Sequence, residues 1–154
     1  MQLPGTDARD TQRRLLRHMN AAMHTPSPAV AAVVARLQAY LRGEAAEFAD
    51  VVVDLGRADP FCRQVYVAAR DIAWGSTLSY GELATKLGMN GAARDVGQAL
   101  GRNTVPIIIP CHRIVGSDGK LGGYSAPGGP DTKRRLLELE GVRLGTPAGQ
   151  GALF

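Results

Sequence analysis

Apolar positions along this chain recur mostly at helical spacing. Val30, Val33, Val34, Leu37 and Leu41 follow Ser27-Pro28, a capping residue with proline at the first helical position, and Gly43 stops the run. The pattern predicts an amphipathic helix there. Phe61, Val65, Ala68, Ala69 and Ile72 repeat it behind Asp59-Pro60, and Trp74-Gly75 closes the unit. Cys62 falls off that stripe and reads as a passive thiol. Residues 51–55, Val-Val-Val-Asp-Leu, predict a short strand. Residues 1–26 are polar and Arg-rich, with Leu15, Leu16 and Met19 as a thin apolar stripe, enough for a short amphipathic helix.

Farther on, Ser79-Tyr80-Gly81-Glu82 is a capping box that starts a helix bearing Leu83, Ala84 and Leu87. After a Gly-containing turn, residues 92–100 form a second, Ala- and Gly-rich helix closed by Gly101. The pair predicts a helix-turn-helix, whose second helix is slim enough to approach a nucleic-acid backbone or enter a groove. Val105-Pro106-Ile107-Ile108-Ile109-Pro110 is too apolar for a surface loop and too short for a helix, so it predicts a buried extended segment. Gly116, Gly119, Gly122 and Gly123 form a hairpin-like loop. Asp131 is expected to cap a last helix with Leu136, Leu137 and Glu140, ended by Gly141.

The apolar run leads directly into Cys111-His112-Arg113. A free thiol with a pKa of about 8.5 is mostly protonated at neutral pH, so a nucleophilic cysteine needs a neighbouring base and cation. For a Cys-His pair alone, a buried cysteine beside a core histidine is the commoner arrangement. Glu140 is placed to orient His112, but spacing by itself favours a solvated carboxylate.

Composition narrows the class. A chain of 154 residues, 45% hydrophobic and 21% charged, is long enough for one good core plus an appendage. Two cysteines in dissimilar contexts make no disulfide framework and fit a reducing cytoplasm. No apolar run suggests a membrane span or a signal peptide, and His18 and His24 lack cysteine partners at zinc spacing. The formal charge of +4 belongs wholly to residues 60–154, which carry eleven Lys/Arg against seven Asp/Glu. That asymmetry suits a polyanionic partner.

In one order, Ser79-Tyr80-Gly81-Glu82-Leu83-Ala84, Ala92-Ala93-Arg94-Asp95-Val96-Gly97, Gly101-Arg102-Asn103, Ile109-Pro110-Cys111-His112-Arg113-Ile114-Val115, Gly122-Gly123-Tyr124-Ser125 and Leu136-Leu137-Glu138-Leu139-Glu140-Gly141 resemble the O6-alkylguanine-DNA alkyltransferases. These are the methylated-DNA–protein-cysteine methyltransferases. The resemblance runs from about Phe61 to Leu144. It implies an α/β (α+β) fold, with a reduced amino-terminal helix/strand subdomain over residues 1–58 and a mainly helical, winged-helix-like helix-turn-helix catalytic domain over 59–146. Residues 147–154 form a tail.

The resemblance also implies roles. Cys111 matches the alkyl acceptor, His112 the base acting through a water, and Glu140 the carboxylate orienting it. Tyr80 matches the tyrosine at guanine N3 and the rotated phosphate. Arg94, beside Ala93, matches the arginine that fills the space of the flipped base. Asn103, beside Arg102, matches the asparagine bracing the recognition helix. Ile114, Tyr124 and Ser125 fall at the guanine pocket. The implied partner is double-stranded DNA containing O6-alkylguanine, or more weakly O4-alkylthymine, repaired by a cytoplasmic monomer in a single turnover without cofactor or metal. Other readings are a lesion-binding relative without transfer, a helix-turn-helix transcription regulator and a cysteine hydrolase. Lesion-binding relatives lack the cysteine, a transcription regulator has no need of Pro-Cys-His-Arg, and for a hydrolase no oxyanion-hole motif is evident. Two features depart from the family: the loop between Tyr124 and Lys133 is longer than in many members, and residues 1–58 resemble only the later part of its amino-terminal domain. Either this region is trimmed or the start lies upstream.

Overall fold

The computed structural model describes residues 7–16 and 25–143. His18, Met19, His24 and the tail expected over 147–154 lie outside them. In chain order the elements are α1 (Ala8–Leu16), α2 (Pro28–Leu41), α3 (Pro60–Arg70), β1 (Leu78–Ser79), α4 (Tyr80–Lys86), α5 (Ala93–Gly101), a 3₁₀ turn (Cys111–Arg113), β2 (Ile114–Val115) and α6 (Gly129–Leu139). None of the described helices is long and apolar enough to cross a membrane.

Helix α2 starts where the sequence places it, with Ser27 Oγ accepting from Val30 N and Pro28 in the first turn. Its buried face, however, is rotated from the predicted stripe. Val30, Val34 and Leu41 are exposed, Val33 and Leu37 are half-buried, and Tyr40 is wholly enclosed. Tyr40 lies three residues beyond Leu37 and seven beyond Val33, so it completes the inward row.

The strand expected over residues 51–55 does not form, and Val52 is almost fully exposed. Among the described residues no neighbouring strand pairs with it. Backbone acceptors in and before the segment are met by a side chain instead: Arg70 Nη2 donates to the carbonyls of Phe48, Ala49 and Val51 at 2.9, 3.0 and 2.6 Å. A guanidinium thus does the work of a ladder.

Helix α3 is capped by Asp59, whose Oδ1 accepts from Cys62 N at 2.8 Å. Cys62, although off the predicted stripe, is enclosed. It is buried in the main core with Val65, Tyr66, Ala69, Leu83, Val96, Leu100, Ile109 and Ile114. Tyr66 crosses this core to donate its hydroxyl to Ala99 O at 2.9 Å. A second cluster of Tyr40, Phe48, Ile107, Ile108 and Leu136 ties α2 and its following loop to α6.

The capping box is formed at both ends, Glu82 N to Ser79 Oγ at 3.1 Å and Ser79 N to Glu82 Oε2 at 2.6 Å. Helices α4 and α5 pack together across a turn with Gly88 and Gly91 at positive φ, so the helix-turn-helix is present. Residues 106–110 are buried as predicted, but they are not extended. Ile107 has φ of +74°, and Ile109 N donates back to Val105 O at 3.0 Å. The two prolines remove ladder donors, and the segment folds into a buried turn. A left-handed β-branched residue costs about 1–2 kcal/mol, which enclosure of Ile107–Ile109 offsets.

The chain becomes extended only after the 3₁₀ turn, where β2 pairs in parallel with β1, Leu78 opposite Ile114 and Ser79 opposite Val115. Helix α6 begins two residues before the expected cap. Gly128, at φ of +84°, precedes it, and a Cβ there would collide with Thr132 Oγ1. Asp131 sits in the first turn and pairs with Arg134 at 3.3 Å rather than capping.

Arg70→Ala would strand three carbonyls at the loop after α2. At a net ~1 kcal/mol per hydrogen bond, a loss of about 1–3 kcal/mol in urea unfolding is expected. An unchanged midpoint would show that water replaces the guanidinium without cost.

Candidate active site

Cys111 opens the 3₁₀ turn directly after the buried turn, and its own N–H is tied to Ile109 O at 2.8 Å. Asn103, just past the end of α5, fixes the thiol from the other side. Its Nδ2 donates to Cys111 Sγ at 3.2 Å and to Ile109 O at 3.0 Å, while its Oδ1 accepts from Val105 N at 2.9 Å. One amide therefore ties the chain just past α5 to the sulfur and to the buried turn before it. Burial pushes the Cys111 thiol up, and the Asn103 amide and the Lys133 ammonium pull it down.

Behind Cys111 lies a closed polar network. Glu140 Oε1 accepts from His112 Nε2 at 2.7 Å, Tyr40 Oη at 2.8 Å and Arg113 Nη2 at 3.1 Å. Its Oε2 accepts from Arg113 Nε at 2.9 Å and Gly75 N at 3.2 Å. Arg113 also donates from Nη1 to Ile72 O at 2.5 Å. All four of its titratable side chains are buried. Although burial opposes its charge, the donors from His112 and Arg113 hold the Glu140 carboxyl down at about 2. Burial also pushes His112 down, so its imidazole is neutral at pH 7. With Nε2–H directed to the carboxylate, Nδ1 carries the lone pair, and this buried atom meets no partner among the described residues.

In front of Cys111 a cavity of about 720 Å³ opens between α5 and the loop before α6. Tyr80, Ala93, Arg94, Gly97, Tyr124 and Ser125 line it with the cysteine. Such a volume is that of a site for a small ligand or a single base. Ala93 and Arg94 are the first two residues of α5, so the exposed arginine stands at the mouth. Gly122, at φ of +67°, lets the Tyr80 ring lie close, since a Cβ there would be 3.0 Å from its hydroxyl, whereas a Cβ at Gly97 would make only ordinary contact at 3.7 Å. Ile114 is fully buried, and its carbonyl accepts from Lys133 Nζ at 2.5 Å. Arg102 sits apart on the surface, paired with Asp59 at 3.6 Å.

Three residues of this assembly had no role assigned from sequence. Lys133 is fully enclosed and reaches Tyr80 Oη at 3.3 Å and Gly123 O at 3.4 Å. Desolvation pulls it down to about 8. It stands seven residues before Glu140 and three before Leu136, a spacing that marks the inward face of α6. Arg113 lay inside the motif, and Tyr40 lay outside the valine stripe. Glu140, which spacing alone favoured as a solvated charge, is buried in the network.

A family model described as the 6-O-methylguanine DNA methyltransferase DNA-binding domain matches residues 60–142. The chain belongs to the O6-methylguanine-DNA methyltransferase family. A methylated-DNA–protein-cysteine methyltransferase of Mycobacterium tuberculosis is 50% identical over 120 residues, covering 77% of this chain and 70% of the relative. The crystal structure of Mycobacterium tuberculosis OGT in complex with DNA matches with a TM-score of 0.68 and 47% identity, over 80% of this chain and 74% of that one. S. pombe Atl1 in complex with damaged DNA containing O6-carboxymethylguanine matches with a TM-score of 0.51 and 36% identity, over 56% and 81%. Membership in the methyltransferase family accords with the α/β architecture described above.

The Glu140 network has a pH signature. A carboxyl held near 2 in the fold and near 4.5 in the unfolded chain stabilises the native state above 4.5 and loses that contribution as pH falls toward 2. The contribution is on the order of 3 kcal/mol. Glu140→Gln should therefore unfold at lower urea at pH 7, and the gap to the parent should close across that acid window. A gap that stays constant with pH would show that packing, not ionisation, is what the substitution removes.

Proposed function

We propose that this protein repairs O6-alkylguanine, and more weakly O4-alkylthymine, in duplex DNA by moving the alkyl group irreversibly onto Cys111. The observation that carries the reading is a buried cysteine at the floor of a base-sized cavity, with a His–carboxylate pair behind it and a recognition helix at its mouth. A lesion at guanine O6 lies on a base edge inside the stack, so the nucleotide must be extruded, at a cost of a few kcal/mol. Arg94, exposed in the first turn of α5, is placed to fill the vacated space, as wedge residues do in other kinked duplexes. The excess of basic residues over 60–154 supplies attraction for the phosphates.

In the proposed chemistry the Cys111 proton passes through a water to His112 Nδ1, and Glu140 steadies the resulting imidazolium. The Asn103 amide, already on Sγ, supports the thiolate. The sulfur attacks the alkyl carbon, an S–C bond forms, and the C–O6 bond breaks with its electron pair going to the base. Tyr80 donates a proton to the leaving guanine; burial pushes the phenol up, and the Lys133 ammonium beside its hydroxyl steadies the phenolate that results. Solvent then restores the tyrosine proton, and His112 gives up the thiol's. Ile114, Tyr124 and Ser125 border the base, and Arg102 lies on the flank of the recognition helix. The reading needs no cofactor or metal. It suits a monomer of the cytoplasm, where the two free cysteines stay reduced. A domain boundary near residue 58 fits this division of labour.

A thioether has no route back to a thiol by disulfide exchange, so each chain acts once. With duplex DNA carrying radiolabelled O6-methylguanine, label should become covalently attached to protein and plateau at one equivalent. Cys111→Ser should abolish transfer and leave DNA affinity largely intact, while Cys62→Ser should transfer as the parent does. Transfer by the serine variant within a few-fold of the parent would remove Cys111 from the role. Lesion binding without any transfer would favour a recognition protein instead.

Arg94→Ala should slow repair of duplex DNA far more than reaction with free O6-benzylguanine, which needs no extrusion. Equal losses on the two substrates would place Arg94 in the chemistry or the fold.

A further inference from the structure

We propose that Tyr40, supplied by α2 from outside the helix-turn-helix region, is a positioning residue that fixes the proton pattern of His112 and strengthens it as a base. The inference rests on the repair reading, in which His112 takes the thiol proton. Three atoms form a closed triangle: Tyr40 Oη lies 2.8 Å from Glu140 Oε1 and 3.1 Å from His112 Nε2, and Nε2 lies 2.7 Å from the same Oε1. A hydroxyl has one proton, and the ionised carboxylate is the stronger acceptor. With that proton committed to Glu140, the remaining lone pairs of Tyr40 Oη face Nε2. Both oxygens at Nε2 then accept, which requires the hydrogen there and leaves the lone pair on Nδ1.

The negative end of the hydroxyl dipole also faces the ring, where it favours positive charge on His112. Within a buried site this offsets part of the burial that disfavours the imidazolium. The other charged or titratable groups around the ring are accounted for. Glu140 favours the imidazolium, Arg113 and Lys133 oppose it, and Cys111 precedes it in the chain. Tyr40 is the member of this set that adds an acceptor without adding charge.

The hydroxyl is held rather than merely present. Tyr40 is 0% exposed, and its ring stands edge-on to Trp74 at 5.2 Å and tilted against Phe48 at 6.2 Å. Gly43, at φ of +85°, ends α2 directly after it, which places Tyr40 on the last turn facing α6. Burial and the Glu140 charge push the phenol up, so it stays a neutral donor over the working pH range.

The test compares single-turnover methyl transfer from lesion duplex across a pH series for the parent, Tyr40→Phe and Tyr66→Phe. Tyr66→Phe deletes the same atom from a buried tyrosine whose hydroxyl donates to the Ala99 carbonyl and lies beside the Cys62 thiol, outside the Glu140 network, so it controls for lost stability. Tyr40→Phe should slow transfer roughly tenfold, the equivalent of one hydrogen bond in a charged network. A weaker base is also deprotonated to lower pH, so its acid limb should move down by on the order of half a pH unit. Lesion-DNA affinity and melting temperature should track those of Tyr66→Phe, whose pH limb should not move.

A rate loss without displacement of the limb would overturn the proposal, since a merely structural tyrosine gives that result. A rate and limb equal to the parent's would overturn it as well. A parent protein that does not transfer would instead sink the repair reading. An independent arm needs no variant: with 15N-labelled histidine, and His112 assigned by loss of its signals in His112→Asn, the parent ring should carry its hydrogen on Nε2. A ring protonated at Nδ1 would refute the inference even if Tyr40→Phe failed to fold.

Discussion

One carboxylate organises this molecule. Glu140 is removed from water and accepts five hydrogen bonds, from Tyr40, His112, Gly75 and twice from Arg113. A buried charge is tolerable only when its lone pairs are met, and removing a partner from such a cluster costs far more than a surface pair is worth. The donors come from α2, from the turn before β1 and from the 3₁₀ turn, while the acceptor ends α6. The network therefore closes the fold and places His112 with one constraint. Tertiary structure and chemistry depend on the same five donors.

The front of the site is built differently. There the constraints are an asparagine amide on sulfur and on two backbone groups, a glycine that admits the Tyr80 ring, the Lys133 ammonium against the Tyr80 hydroxyl, and two short strands that secure the chain after the 3₁₀ turn. A buried carboxylate network behind and an open cavity flanked by Arg94 and Lys133 in front suit the proposed role, which must admit a base yet hold Cys111 in register.

Local signals in the sequence carried far. Ser27-Pro28, Asp59-Pro60 and Ser79-x-x-Glu82 each mark a helix start that the fold uses, because capping is settled within four residues. The motif residues that line the cavity were legible by resemblance. The failures share one cause. Residues 51–55 have strand composition, but whether a strand forms depends on a neighbour, and Arg70 took that place. Residues 106–110 were rightly read as buried, yet no rule of spacing puts an isoleucine in the left-handed region. Tyr40 and Lys133 were missed because an aromatic and a lysine near a stripe of valines and leucines read as edges of a face, whereas distant partners made them its centre.

Distance along the chain gives the network a consequence for biosynthesis. The hydrogen bond from Tyr40 to Glu140 spans 100 residues, and that from His112 to Glu140 spans 28. A chain emerging in order presents Cys111 and its histidine before the carboxylate that organises them exists. Until Glu140 arrives, the thiol is an ordinary one, without an oriented base and without the enclosure that α6 completes. Under the proposed role, in which Cys111 reacts only once, that order keeps the thiol unprimed through its own synthesis and couples readiness to completion of the fold.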